Sequence, residues 1–501
     1  MESSDQLAIL ETISQIKAVA ENEQDDASSM EDFLVMPEYG RFRDPDKFLI
    51  LGGRGSGKTR VFQALTAPEG FAKMIGGQRK LLSPNADNTI IIAGYKLHRE
   101  FPSSDILDQF AEDKQARSYW AGSLMILLMN NTALDPQLRK IAMHYLGPKE
   151  FERFSSLDCL KTPTQWLPYT QQNPEVWENI LDKMDEWLDQ NKQWLFVAYD
   201  SLDRLTGQYS DLFPFLRSLL SFWHTHSSRW KHLRCKIFLR NDLYQSEMLS
   251  FPDASKLSSN TIQLVWNTVS LYRLLVKRMA NAGSPETVSY LRRIPELITI
   301  DPDPTLGYVP SGEQKKMEAF VEMMIGTYMG STPKKGKSYS WPPNHLQDAN
   351  GALSPRPFLK CFSTAAQDMC SHPEELTRLQ DVRLLRPEQI QGALLKVSEE
   401  RVQELKEEYP WLDELQSAFA GLTMLMDQQE FIDHINMDLW GKQQKKSLPA
   451  STPHGIFSVL KSLGIVLIAD DGRVNVPEIY LHGFRMKRKG GLRRSIRNRQ
   501  I

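Results

Sequence analysis

The sequence predicts an α/β protein with a three-layer αβα core on a parallel sheet, and three stretches carry the prediction. The first, residues 47–66 (KFLILGGRGSGKTRVFQALT), sets a short apolar run against a glycine-rich turn, and a helix-patterned segment (Val61, Phe62, Leu65) follows. The second, Trp194–Tyr199, is a continuous apolar run closed by Asp200, as suits a strand covered on both faces. The third, residues 235–239, is a further apolar run closed by Arg240, Asn241 and Asp242.

Gly52-Gly53-Arg54-Gly55-Ser56-Gly57-Lys58-Thr59 matches G-x-x-x-x-G-K-T in the setting that the motif requires, after a strand and before a helix. Glycines at 52, 53, 55 and 57 permit a tight turn whose N–H groups converge on phosphate oxygens, and the new helix adds the positive end of its dipole. The spacing lets Lys58 reach the β- and γ-phosphates and the Thr59 hydroxyl hold Mg²⁺. The αβα core is therefore expected to be that of a P-loop NTPase, with ATP and Mg²⁺ as the expected ligand, bound by residues 52–59 together with the adjoining Arg60. A glycine loop that binds nothing is the bland alternative, and the agreement of pattern and flanks weighs against it.

Asp200 stands at the C-terminal end of its strand, where a magnesium-holding carboxylate of such a sheet belongs, opposite Thr59. Asp203 is placed to polarise the attacking water. A capping aspartate that starts the next helix is the structural alternative for this pair. The strand at 235–239 is expected between the phosphate-loop strand and the Asp200 strand, so that Arg240 or Asn241 faces the γ-phosphate; a charged surface turn is the rival reading.

Composition sets the outer bounds. With 501 residues, 41% hydrophobic and 24% charged, the chain has room for about three domains of ordinary globular character. A net charge of −2 gives no overall nucleic-acid signal. Cys159, Cys235, Cys361 and Cys370 lie far apart with no C-x-x-C, which argues for a reducing compartment and against a zinc site or disulfide frame. The start MESSDQLAIL lacks a basic region before an apolar block, and no apolar run approaches the roughly 18 residues that span a bilayer. A cytoplasmic protein without a membrane segment is expected.

In chain order, residues 1–40 read as an amphipathic helix (Leu7, Leu10, Ile13, Ile16, Val19) and an acidic linker. The helix is too short to stand alone and should dock on its own core or on a neighbouring subunit. Residues 41–250 form the nucleotide core. They include a strand at 89–94 and a helical insertion at about 105–190, whose tryptophans (Trp120, Trp166, Trp177, Trp187) are most simply packing residues. Asn173 and Pro174 are placed to start one of its helices. Residues 251–400 read as a helical lid, with a helix over 264–279 and an arginine, Arg356, that opens a helix after Pro-x-Pro punctuation. Arg356 either points back at the nucleotide or packs beside prolines on the surface. Residues 401–501 resemble a winged helix, with helices at 412–426, 429–437 and 455–463 and a hairpin at 465–476 turned by Asp471-Gly472. The basic tail carries Arg485, Lys487, Arg488, Lys489, Arg493, Arg494, Arg497 and Arg499 without an acid. It suits either the phosphates of DNA or RNA or an acidic partner surface.

Tyr199-Asp200-Ser201-Leu202-Asp203-Arg204 resembles the D-D-L-D-R signature of KAP-type ATPases and the related STAND group, bacterial proteins near AAA+. The resemblance covers about residues 42–360. It implies that Asp200 coordinates magnesium, that Asp203 supports hydrolysis, that Arg240 is sensor-like, and that Ser354-Pro355-Arg356 is a sensor-2 element. It also implies an oligomeric switch that acts with a partner protein, many such proteins serving in antiphage defence. No glutamate stands beside Asp200, so slow hydrolysis is expected. Arg204, Arg229 and Arg234 are the candidates for an arginine supplied by a neighbouring subunit. The rival from another class is an ATP-regulated module that binds DNA through the winged helix and basic tail. A GTPase is disfavoured, because Asn191-Lys192-Gln193-Trp194 has Trp in place of the guanine-reading aspartate.

Overall fold

The computed structural model describes residues 2–18, 30–76, 83–207, 209–244, 254–379, 382–437, 440 and 448–488. The chain forms two compact units: Ala20–Leu264 with Pro304–Gly307, and Met1–Val19 with Val265–Asp303 and Tyr308–Ile501.

The first unit holds the expected α/β core. Its sheet comprises β1 (Leu49–Gly52), β2 (Thr89–Tyr95), β3 (Trp194–Tyr199), β4 (Leu233–Arg240) and β5 (Thr261–Gln263) in the order β2-β3-β4-β1-β5. Every pairing is parallel. All four residues of β1 are buried and so is most of β3 and β4, so these strands are continuous apolar runs rather than alternating ones. As expected, β4 lies between the phosphate-loop strand and the Asp200 strand.

The insertion is helical, with helices Asp113–Asn130, Pro136–Phe154, Pro163–Gln172 and Pro174–Gln190. The Asp113–Asn130 helix is buried over most of its length. Trp120 donates its indole N–H to the Phe215 carbonyl at 2.9 Å, and Trp166 donates to the Cys159 carbonyl at 2.7 Å. Trp120, Trp166 and Trp177 are core residues and Trp187 packs against that core. Asn173 departs from its expected role: its amide donates to the Tyr169 carbonyl at 2.9 Å and does not cap the helix that follows. Pro174 alone fits that helix start.

The edge strand β5 escaped the sequence reading, which ran a helix from 264. Leu264 instead extends the sheet, its N–H donating to the Leu51 carbonyl at 2.8 Å. The helix begins at Thr268, where Asn267 and Ser270 form a reciprocal capping box with bonds of 2.8 and 2.9 Å.

In the second unit, the Ser3–Ser14 helix packs on the Pro355–Ser371 helix of its own chain and buries Ile9, Leu10 and Ile13. Gln6 fixes it by donating to the Arg383 carbonyl at 2.8 Å. Helices Pro387–Glu408, Leu412–Phe419, Gln428–Asp433 and Pro453–Ser462 follow. The Leu412 helix ends well before 426, because Gly421 adopts a left-handed φ of 85° and Thr423–Met424 forms a short strand, β6. The expected hairpin is present but short, with β7 (Leu467–Ile468) antiparallel to β8 (Val474–Asn475) and Gly472 at φ 84° in its turn. Lys487–Arg488 forms β9, parallel to β6, and Arg488 pairs with Glu478 at 2.8 Å. The rest of the basic tail, from Lys489, and the acidic stretch at 21–26 lie outside the described residues. Among those described, no helix is long and apolar enough to cross a membrane, and the four cysteines are free thiols.

Candidate functional site

Three strand ends build the site. β1 runs into the glycine loop, and the Lys58–Thr66 helix starts directly behind it. Gly55 and Gly57 hold φ values of 74° and 90°, the left-handed region in which a side chain is strained. At Gly52 the constraint is contact, since a Cβ there would lie 2.4 Å from Ser56 Oγ. Ser56 and Arg60 are buried, while Arg54 is half-buried on the loop.

Lys58 folds back over the loop and donates Nζ–H to the carbonyls of Gly52 and Gly53 at 3.1 and 3.0 Å. Burial pulls its pKa down to about 8, and the charge of Asp203 is the largest influence opposing that fall.

At the end of β3, Asp200 is 2% exposed and its N–H donates to the Tyr95 carbonyl at 2.9 Å. Burial pushes its carboxyl pKa up to about 6, against the opposing pull of the Thr59 hydroxyl bond and the Lys58 charge. Ser201 donates Oγ–H to Asp200 Oδ2 at 3.2 Å and turns the chain sharply with a φ of 58°, a conformation that costs a non-glycine residue about 1–3 kcal/mol. Asp203 follows on the single turn Leu202–Arg204.

At the end of β4, Arg240 stands in register with Gly52. Its Nε and Nη2 donate to the two oxygens of Asp242 at 3.0 and 2.6 Å, and Nη1 lies 3.5 Å from Asp203 Oδ2. Asn241 starts a short helix, and its buried Oδ1 makes no hydrogen bond among the described residues.

Lys58, Thr59, Asp200, Asp203 and Arg240 therefore converge on one end of the sheet. Asp242 is the member that sequence reasoning missed; an acid two residues beyond a strand-end arginine was its only signal. Thr59 and Asp200 together offer hard oxygen donors of the kind that Mg²⁺ accepts alongside water and phosphate oxygens. A buried carboxylate whose ionisation is disfavoured gains from a cation in that place. Among the described residues, no group of three or more His, Cys, Asp or Glu forms a metal cage.

Arg356 belongs to the second unit, as the second residue of the Pro355–Ser371 helix. Its Nη1 lies 3.5 Å from Glu404, which also accepts from Arg401 at 3.0 Å. Of the three further arginines, Arg229 pairs with Glu178 and Asp182, Arg234 donates to the Ser227 carbonyl at 2.7 Å, and Arg204 is exposed next to Asp203.

No family model matches the chain, and no curated protein matches it. Among solved structures it is similar to the ORC2 protein of Aeropyrum pernix, determined in ADPNP–ADP complexes. The TM-score is 0.27 and the identity 10%, over 89% of this chain and 92% of that one.

Proposed function

We propose that this chain binds Mg·ATP at the glycine loop and hydrolyses it, using the cycle as an oligomeric switch that changes its grip on a partner protein. The observation that carries the reading is the gathering of Lys58, Thr59, Asp200, Asp203 and Arg240 at one end of the parallel sheet, with Lys58 lying over the glycine loop.

The loop amides of residues 52–59, with Arg60 behind them, bind the phosphates, and Lys58 takes up charge that develops on the transferred phosphoryl group. A magnesium ion held by Thr59 and Asp200 would supply neutralisation of the phosphate oxygens. Asp203 orients a water whose oxygen forms a bond to the γ-phosphorus as the bond to the bridging oxygen breaks. ADP leaves, and the proton of the water passes to Asp203 and on to solvent. Asn241 Oδ1, which lacks a hydrogen bond among the described residues, is suited to hold that water. Arg240 responds to the γ-phosphate. With no glutamate beside Asp200, turnover is slow. Arg204, exposed beside Asp203, is the arginine best placed to serve a neighbouring copy.

The Asp200–Arg204 signature supports a KAP/STAND-type switch, with antiphage defence as the role that this resemblance implies. A DNA-regulated version of the same ATPase draws on the β7–β8 hairpin and the basic run 485–499; its readout is whether DNA at near-physiological salt raises turnover.

Calorimetry of the full chain with Mg·ATP tests the proposal. Uptake by the wild type, abolished together with turnover in Lys58→Ala, is the expected result. A folded wild-type chain that takes up no Mg·ATP refutes it, and unchanged turnover in Lys58→Ala places the chemistry elsewhere.

A further inference from the structure

The Pro136–Phe154 and Pro174–Gln190 helices of the insertion pack together and hold a cleft of about 440 Å³ between them. That is the size of a small-molecule site, which runs from about 300 to 1,000 Å³. No residue of the glycine loop or of the strand ends lines it. The first helix contributes Gln137, Lys140, Ile141, His144 and Tyr145, spaced so that they share one face. Lys183, Glu186, Trp187 and Gln190 share a face of the second helix by the same spacing. Tyr145 is close enough to Lys183 to act on its charge, so the end of one row meets the start of the other, and Gln137 and Gln190 fall together at the opposite end.

The floor of the cleft is apolar and its rim carries unengaged polar groups. Ile141 and Trp187 are half-buried and rest on the hydrophobic core, while the exposed rings of His144 and Tyr145 stand edge to face with centroids 5.1 Å apart. Lys183 donates to both oxygens of Glu186 at 2.9 and 2.7 Å, which cancels that pair of charges. Among the described residues, Lys140 makes no ion pair, and the side chains of Gln137, Tyr145, Trp187 and Gln190 make no hydrogen bond. The cleft therefore offers flat apolar surface, two amides and one free cation. We propose that it is a nucleotide site separate from the glycine loop, which takes one nucleoside monophosphate with its base on Trp187, its base edge against Gln137 and Gln190, and its phosphate on Lys140. An indole face accepts any base by stacking. Amides carry a donor and an acceptor side by side, as a base edge does. A lone cation suits one phosphate, whereas a nucleic-acid strand requires a basic groove that follows its backbone, and the net charge of −2 supplies no such field. The inference does not depend on the ATP reading above, because none of these residues belongs to that site.

The test is calorimetry of the full-length protein without Mg²⁺, with adenosine monophosphate, adenosine and ribose 5-phosphate as probes. Wild type should bind adenosine monophosphate about tenfold more tightly than adenosine, and ribose 5-phosphate more weakly than either. Lys140→Ala, at an exposed position, should weaken adenosine monophosphate about tenfold and bring it level with adenosine. Trp187→Leu keeps an apolar side chain against the core and removes the stacking face, so it should weaken both adenosine compounds about tenfold; if it fails to fold, Lys140→Ala decides alone. Lys58→Ala, which alters only the glycine loop, should leave the affinity for adenosine monophosphate within about twofold of wild type. A wild type that takes up no adenosine monophosphate at millimolar concentration overturns the proposal. So does an affinity that falls in Lys58→Ala and not in Lys140→Ala, which places the nucleotide in the loop and leaves the ATP reading standing. A single-stranded oligonucleotide that binds more tightly than the monophosphate, and loses that affinity in Lys140→Ala, makes the cleft part of a strand-binding surface and also overturns it.

Discussion

Asp200→Asn should make the protein harder to unfold while removing its ATPase activity. The folded chain holds the Asp200 carboxyl pKa at about 6, against an ordinary value of 3.8, chiefly because the group is buried. The sign follows from proton binding. Between pH 3.8 and about 6 the folded state binds the proton more tightly than the unfolded state, so the contribution of this group to stability falls as pH rises through that window and stays lowered above it. At about 1.4 kcal/mol per pH unit, the penalty above pH 7 is about 3 kcal/mol, and near pH 5 it is about half of that. Asparagine has the same shape without the charge, and its Oδ1 still accepts from the Thr59 hydroxyl. Urea unfolding of both proteins without nucleotide should therefore show Asp200→Asn more stable by up to about 3 kcal/mol at pH 8, and by about 1.5 kcal/mol at pH 5. Saturating Mg·ATP should shrink the difference, because ligand at about a hundredfold over Kd adds about 2.7 kcal/mol to the wild type. A variant less stable than wild type at pH 8, or a gain equal at the two pH values, would refute the idea that an ill-solvated carboxylate waits for a cation here.

Two further outcomes concern the second acid and the helical insertion. Asp203→Asn should leave Mg·ATP affinity near wild type and slow hydrolysis by about 10²–10⁴-fold in single-turnover assays; equal loss of binding and turnover would make the residue structural. Gly122→Ala should lower stability by about 1–3 kcal/mol in chemical denaturation, since its Cβ would meet Trp166 Cζ3 at 2.3 Å; wild-type stability would show that the insertion repacks freely.

What the sequence reveals and conceals follows from where the information is local. The shared placement of the glycine loop, Asp200 and Arg240 was legible because each sits at the end of an apolar strand, and open α/β sheets take their ligands beyond the strand ends. The order of β4 between β1 and β3 was readable for the same reason. β5 was not, because three residues with one fully buried side chain, Ile262, carry no period, whereas the leucines that follow suggest a helix that begins four residues late. Asn173 had the right residue type beside the right proline, yet the Tyr169 carbonyl outcompeted the cap. The contact between Asp242 and Arg240 was invisible because it depends on side-chain direction, which no local pattern encodes. The docking of the first helix on the Pro355–Ser371 helix, more than three hundred residues away, likewise requires tertiary information.

Strand register explains why the two acids differ so much in their surroundings. Gly52 pairs with Arg240, whereas Tyr199 pairs with Ile237, so β3 ends three residues lower along the sheet than β1, and Asp200, one residue further on, lies about two residues lower. At about 3.3 Å per residue, that stagger drops the Asp200 backbone some 6–7 Å below the level of the loop's first glycine. The carboxylate thus emerges beneath the loop, buried, within reach of Thr59 and with its charge disfavoured. Ser201 turns the chain through its left-handed φ, and the turn that follows brings Asp203 back up to the level of Arg240, where it is exposed. A one-residue slip between β3 and β4 would reverse which faces of β3 its side chains occupy and separate Asp200 from Thr59. The stagger of three strands therefore sets which of the two acids is buried and which is exposed.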